Sequence, residues 1–164
     1  MRYLLDANVL IDANRDYYPI ERVPQFWRWL VKMGEEGKIK IPIEVYEEIT
    51  SSSDKDDPLK SWASNPETKL ALLLEEMADP MIVSQVTDLG YAPDLTDIEV
   101  EKIGKDPFLI AYGVADPKNS KIVTTEVSKP SAKRANRHVP DVCDQLGVSW
   151  CNTYSLIREL DFKA

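Results

Sequence analysis

Four acidic residues, Asp6, Glu48, Asp106 and Glu126, are far apart in the chain yet stand where a fold can gather them. Asp6 ends the apolar run Tyr3-Leu4-Leu5, and Glu126 closely follows Ile122-Val123-Thr124, so each sits just past a strand. Glu48 lies on a helix opened by Pro42, with Glu47 its alternative as the inward carboxylate; Asp106 before Pro107 reads as a cap followed by a first-turn proline. Carboxylates gathered in this way repel, and in isolation one or more would take up a proton. A divalent cation removes the conflict. Hard oxygen ligands suit Mg²⁺ or Mn²⁺, which keep several waters and complete their shell with substrate phosphate. A bound water then loses its proton more easily and can attack phosphorus, while a second cation about 3.5–4 Å away stabilises the leaving oxygen. Phosphate chemistry is the expected outcome.

Other chemistries find little footing. His138 is the only histidine, and no GxSxG or P-loop pattern occurs, which sets aside triad hydrolysis and Walker-type ATP use. Cys143 and Cys151 have no CxxC spacing and no neighbouring ligand cluster, and are expected in the core. Trp27, Trp29, Trp62 and Trp150 offer ring faces for stacking, but two of them follow core patterns and are expected to pack.

The elements that must position the acids follow from periodicity. Ala7–Ala13 reads as a short helix that Asp6 can cap. Val23, Phe26, Trp27, Leu30 and Val31 recur at helical spacing up to Gly34 and Gly37, and residues 38–41 form a second strand. Thr50–Asp57 is a polar loop, Asn65-Pro66 starts another helix, and Met81–Leu89 favours a helix over a strand. Phe108, Ala111, Tyr112 and Ala115 form the buried face of the helix after Asp106, and the group Asp94, Asp97, Glu99 and Glu101 reads as a solvated face. Val127–His138 is a mobile basic loop carrying Lys129, Lys133, Arg134 and Arg137. Val139–Leu146, Val148–Trp150 and Leu156–Leu160 supply a helix, a last strand and a terminal helix. Strands alternating with helices predict right-handed crossovers and a parallel sheet covered on both faces. In such sheets function gathers beyond the carboxyl ends of the strands.

The 164 residues amount to one domain, spanning 1–164, with enough chain to bury a core unaided. The charge of −8, from 20 basic and 28 acidic residues, argues against general attraction to nucleic acid, so a polyanion must dock locally; the basic loop is either its site or a charged loop with no such task. No run approaches a membrane span and the N-terminus carries no charged leader, which predicts a cytoplasmic protein.

Leu4-Leu5-Asp6-Ala7-Asn8, Val45-Tyr46-Glu47-Glu48-Ile49, Asp106-Pro107-Phe108-Leu109-Ile110-Ala111 and Ile122-Val123-Thr124-Thr125-Glu126, in this order, resemble the PIN-domain nuclease pattern. The resemblance covers nearly the whole chain and is closest to small stand-alone prokaryotic proteins of the VapC-like toxin type. It implies a three-layer α/β/α sandwich with a central, mainly parallel sheet, and a Mg²⁺- or Mn²⁺-dependent endoribonuclease. It also implies an antitoxin partner and often a homodimer. Asp6, Glu48 and Asp106 match the metal-binding acids, Asn8 the small polar position that supports the first of them, and Thr124 the threonine before the last. Glu126 stands where the family usually has aspartate, so its longer arm must reach the site or leave a second metal weakly held. A catalytically weak RNA- or protein-binding module of the same fold is the alternative.

Overall fold

Strand β1 (Arg2–Leu5) carries side chains that point alternately to opposite sides. Tyr3 and Leu5 enter one apolar cluster and Leu4 another, and Ile122 and Val123 of the neighbouring strand divide in the same way. A sheet with both faces buried needs helices on both sides, and these are present in the computed structural model, which describes residues 1–164. Helices α1 (Ala7–Asp12), α2 (Pro24–Glu35), α3 (Ile43–Thr50), α4 (Pro58–Ser64) and α5 (Pro66–Leu72) follow β1, with strand β2 (Ile39–Lys40) between α2 and α3. Then come α6 (Pro80–Gln85), α7 (Asp97–Ile103), α8 (Asp106–Ala115), β3 (Ser120–Val123), α9 (Val139–Leu146), β4 (Ser149–Cys151) and α10 (Thr153–Glu159). The four strands are all parallel in the order β2-β1-β3-β4, giving a three-layer α/β/α sandwich.

The larger cluster packs α1 to α5 and Leu156 of α10 on one face, and the smaller packs α8, α9, Val86 and Tyr91 on the other. Trp27 lies in the first with its indole N–H donating to Tyr18 O at 2.7 Å. Cys143 and Cys151 are buried free thiols. No helix is long and apolar enough to cross a membrane.

The structure adds detail to three local expectations and overturns a fourth. Residues 58–64 form a helix that apolar periodicity does not announce, started by Asp57, whose carboxylate accepts the Leu59 N–H at 3.0 Å ahead of Pro58. The acidic stretch near residue 97 is also helical, because Thr96 and Glu99 form a capping box. The segment after Gln85 continues as a π-helical turn over Val86–Tyr91. The basic segment 127–138, expected to be mobile, is tied down. Ser128 Oγ and the Lys129 N–H donate to the buried Asp141 carboxylate at 2.6 and 2.8 Å, and Arg134–Asn136 forms a 3₁₀ turn.

Candidate active site

The register of the sheet determines what meets what. Leu5 pairs with Val123, and the ladder runs one step further: the Asp6 N–H donates to Val123 O at 2.9 Å and the Thr124 N–H to Cys151 O at 3.0 Å. Asp6 and Thr124 therefore leave adjacent strands side by side. Thr124 Oγ1 donates to the Asp6 carboxylate at 3.1 Å and accepts the Glu126 N–H at 3.1 Å, so one hydroxyl links the first acid to the last. Both are buried, Asp6 at 6% exposure and Thr124 at 0%. The place is a topological switch point, since β2 lies on one side of β1 and β3 on the other.

Asp6 occupies the N-cap position of α1 but makes no side-chain cap bond, leaving its carboxylate to the cleft. Asp106 departs from the expected cap: Lys105 holds that position and Asp106 is the first residue of α8, again with no cap bond. Gly104 makes this possible. Its φ of +52° turns the chain sharply between α7 and α8 in a region that side chains with a Cβ seldom adopt. Glu126 reaches across to α9, where its Oε2 accepts the Val139 N–H at 2.7 Å, one of the donors that a helix start leaves without an internal partner. The longer arm is thereby fixed at a helix N-terminus.

Electrostatics bring the four acids into one field. Burial raises the Asp6 carboxyl to about 6; the Thr124 hydrogen bond opposes this, and the charges of Glu126 and Glu48 add to it. Asp106 is pushed further, to about 8, by burial and then by Asp6, Glu126 and Glu48. Glu47 and Glu48 of α3 are both exposed and both line the acidic cleft, and the charge of Glu48 acts on both aspartates. No lysine or arginine forms an ion pair with any of the four. Two desolvated aspartates beside an exposed Glu48 and a half-buried Glu126, none of them ion-paired, are a donor set that suits a hard divalent ion. No three His, Cys, Asp or Glu side chains stand in an arrangement that can hold a metal alone. Mg²⁺ held by one or two carboxylates, water and phosphate does not require one.

Two clefts meet at Asp106. One, of about 490 Å³, is acidic and contains Asp6, Glu44, Glu47, Glu48 and Glu101. The other, of about 620 Å³, is lined by Glu126 together with Lys129, Lys133, Arg137 and His138. Lys102 borders both and donates to Asn136 Oδ1. The basic residues differ in their freedom. Lys129 and Lys133 are exposed at the cleft, whereas Arg137 is braced by Gly90 O and Gln145. Arg134 points elsewhere, paired with Glu99 at 2.9 Å and Asp94 at 2.8 Å. Asn8 is exposed on α1, and the side-chain bond to Asp6 comes from Thr124 instead.

Periodicity alone overlooked three contributors: Lys102, Asp141 and Glu44, whose carboxylate accepts the Tyr112 hydroxyl at 3.0 Å. The Thr96-x-x-Glu99 capping box is the signal that places Lys102 on a helix leading into the site. The model of the family described as "Domain of unknown function (DUF4411)" matches residues 3–164. No curated protein and no solved structure matches the chain.

Proposed function

The chain belongs to this family of unknown function, and we propose that it is a PIN-type, metal-dependent endoribonuclease that hydrolyses RNA phosphodiester bonds. One observation carries the reading: four acids from separate parts of the chain gather at the carboxyl edge of the sheet, Asp6, Glu48 and Asp106 in one cleft and Asp106 and Glu126 in the next, and none is ion-paired with a lysine or arginine. The motifs that resemble PIN nucleases supply the same four residues.

Asp6, Asp106 and Glu48 would hold Mg²⁺ or Mn²⁺, with Glu126 assisting a second ion. When bound, the metal supplies positive charge at the phosphate and a more acidic water at neutral pH. The protein's own part is positional. Thr124 fixes the Asp6 carboxylate, the Val139 N–H fixes Glu126, and the α8 N-terminus favours the ionised form of Asp106. Lys129, Lys133 and Arg137 face the same cleft and give RNA phosphates a local anchor on an otherwise acidic chain. In biological context the reading is the toxin of a type II toxin–antitoxin pair, acting in the cytoplasm, restrained by a cognate antitoxin protein and assembled as a homodimer.

Asp6→Asn tests the catalytic reading. The variant is expected to keep its circular dichroism spectrum and lose Mn²⁺-dependent RNA cleavage; cleavage at the parental rate would overturn the proposal. The lack of a ready-made metal cage favours one second reading, a PIN-fold RNA- or protein-binding module with weak catalysis. Retention of RNA under chelation, with no cutting by the parent chain when Mn²⁺ is added, would select it.

A further inference from the structure

Glu126 also borders a third cavity, of about 530 Å³, which shares no other lining residue with the basic cleft. Three aromatic residues line this cavity, Tyr17, Trp150 and Tyr154, against Tyr91 alone in the basic cleft and none in the acidic one. The Tyr17 and Tyr154 rings lie 6.0 Å apart at a shallow 33° angle, and Tyr154 remains 57% exposed. The Trp150 ring is oriented by its indole N–H, which donates to Asp144 Oδ1 at 2.9 Å. Thr153, beside Tyr17, is a buried residue of its lining. No lysine or arginine lines the cavity, whereas Asp12 and Asp16, both held by Arg15, do. Such a wall repels phosphate and accepts hydrogen bonds from a neutral donor.

We infer that this cavity is a nucleobase subsite, which takes an unpaired base of an RNA strand whose phosphates cross the acid centre toward Lys129 and Lys133. The inference rests on the nuclease reading of the adjoining acids and adds to it the place where a base of the strand is held. The division of labour follows from polarity. Phosphates are drawn to the basic cleft beyond Glu126, and the flat, uncharged base is left to the aromatic wall on its near side. Bases inside a duplex keep their faces stacked and cannot enter. The acceptor-rich rim gives the bound base polar partners that a purely apolar pocket lacks.

The test is fluorescence anisotropy without divalent metal, using a labelled single-stranded oligoribonucleotide of mixed sequence and the same strand annealed to its complement. Loss of one base–aromatic stack predicts that Tyr154→Ala weakens single-strand binding roughly tenfold. Tyr154→Phe, which retains the ring, is expected to bind within about twofold of the parent. The parent chain is expected to bind the duplex more weakly than the single strand, and Tyr154→Ala to leave duplex binding unchanged. Equal single-strand binding by parent and Tyr154→Ala, equal damage by Phe and Ala, or equal binding of duplex and single strand would each overturn the subsite, as would no binding by the parent. Cleavage assays separate the two proposals: a parent chain that binds this way and never cuts defeats the nuclease reading alone, and one that cuts while Tyr154→Ala binds normally defeats the subsite alone.

Discussion

The acidic cleft and the basic cleft share Asp106, but they are built by opposite means. The acids are held by backbone. Asp6 is one residue beyond a strand, Asp106 opens a helix, Glu48 is on a helix, and Glu126 is bound to a helix start. The basic side chains stand on a connection of little regular structure, which is ordered because Asp141 and the Asp94–Glu99 pair hold parts of it. Like charges that must be close need a rigid frame, because repulsion would otherwise spread them. Cations that meet a flexible polyanion need only a tether. Part of the acidity of this protein therefore serves to hold its basic segment in place.

The largest test of this contrast removes a charge at the shared point. Asp106→Asn is expected to reduce metal-dependent cleavage by about 100-fold or more, the loss of roughly 3 kcal/mol of transition-state stabilisation. Single-turnover cleavage assays measure it. The fold is expected to persist, since Asp106 makes no hydrogen bond that the variant would break.

Proton linkage gives the next test. Asp6 and Asp106 titrate near 6 and near 8 in the folded chain, above the value of about 4 for a free carboxyl in the unfolded chain. The folded state then holds protons that the unfolded state has released. Metal-free stability is expected to fall as pH rises from about 4 through 8. Thermal unfolding followed across that range checks the sign. Asp106→Asn should flatten the upper part of the curve, and Mn²⁺ should raise Tm more at the alkaline end than at the acidic end.

On the basic side, Asp141→Ala removes the acceptor of the Ser128 hydroxyl and the Lys129 amide. A loss of about 1–3 kcal/mol is expected, read by urea denaturation, with a raised KM for RNA if the loop then wanders. Lys133→Gln removes one exposed cation at the cleft and should weaken RNA binding a few-fold while lowering the slope of log K against log salt by about one. Arg134→Gln is expected to do least to RNA affinity, because its guanidinium is engaged with Asp94 and Glu99. A binding loss as large as that of Lys133→Gln would place the Arg134 guanidinium on the substrate and blur the contrast.

Legibility differed along the chain for physical reasons. Strong alternation of apolar strands and helices made the parallel sandwich readable, because βαβ crossovers leave few other arrangements. The caps were harder. Asp57-Pro58 and Thr96-x-x-Glu99 start helices with little apolar stripe, so local hydrogen bonding, not periodicity, was the signal. At Asp106 the Asp-Pro pair suggested a cap, but the turn at Gly104 moved the helix start back by one residue and released the carboxylate.

Residue types and their order along the chain determined that acids would stand at strand ends and helix starts, because hydrophobic periodicity is a local property that the chain carries with it. The hydroxyl bridge from Asp6 through Thr124 to Glu126 and the turning of Arg134 away from the cleft were decided by tertiary structure. Those outcomes depend on strand register, helix rotation and which partner lies within about 3 Å. Such distances between residues more than a hundred positions apart are set only when the sheet closes and both of its faces are packed.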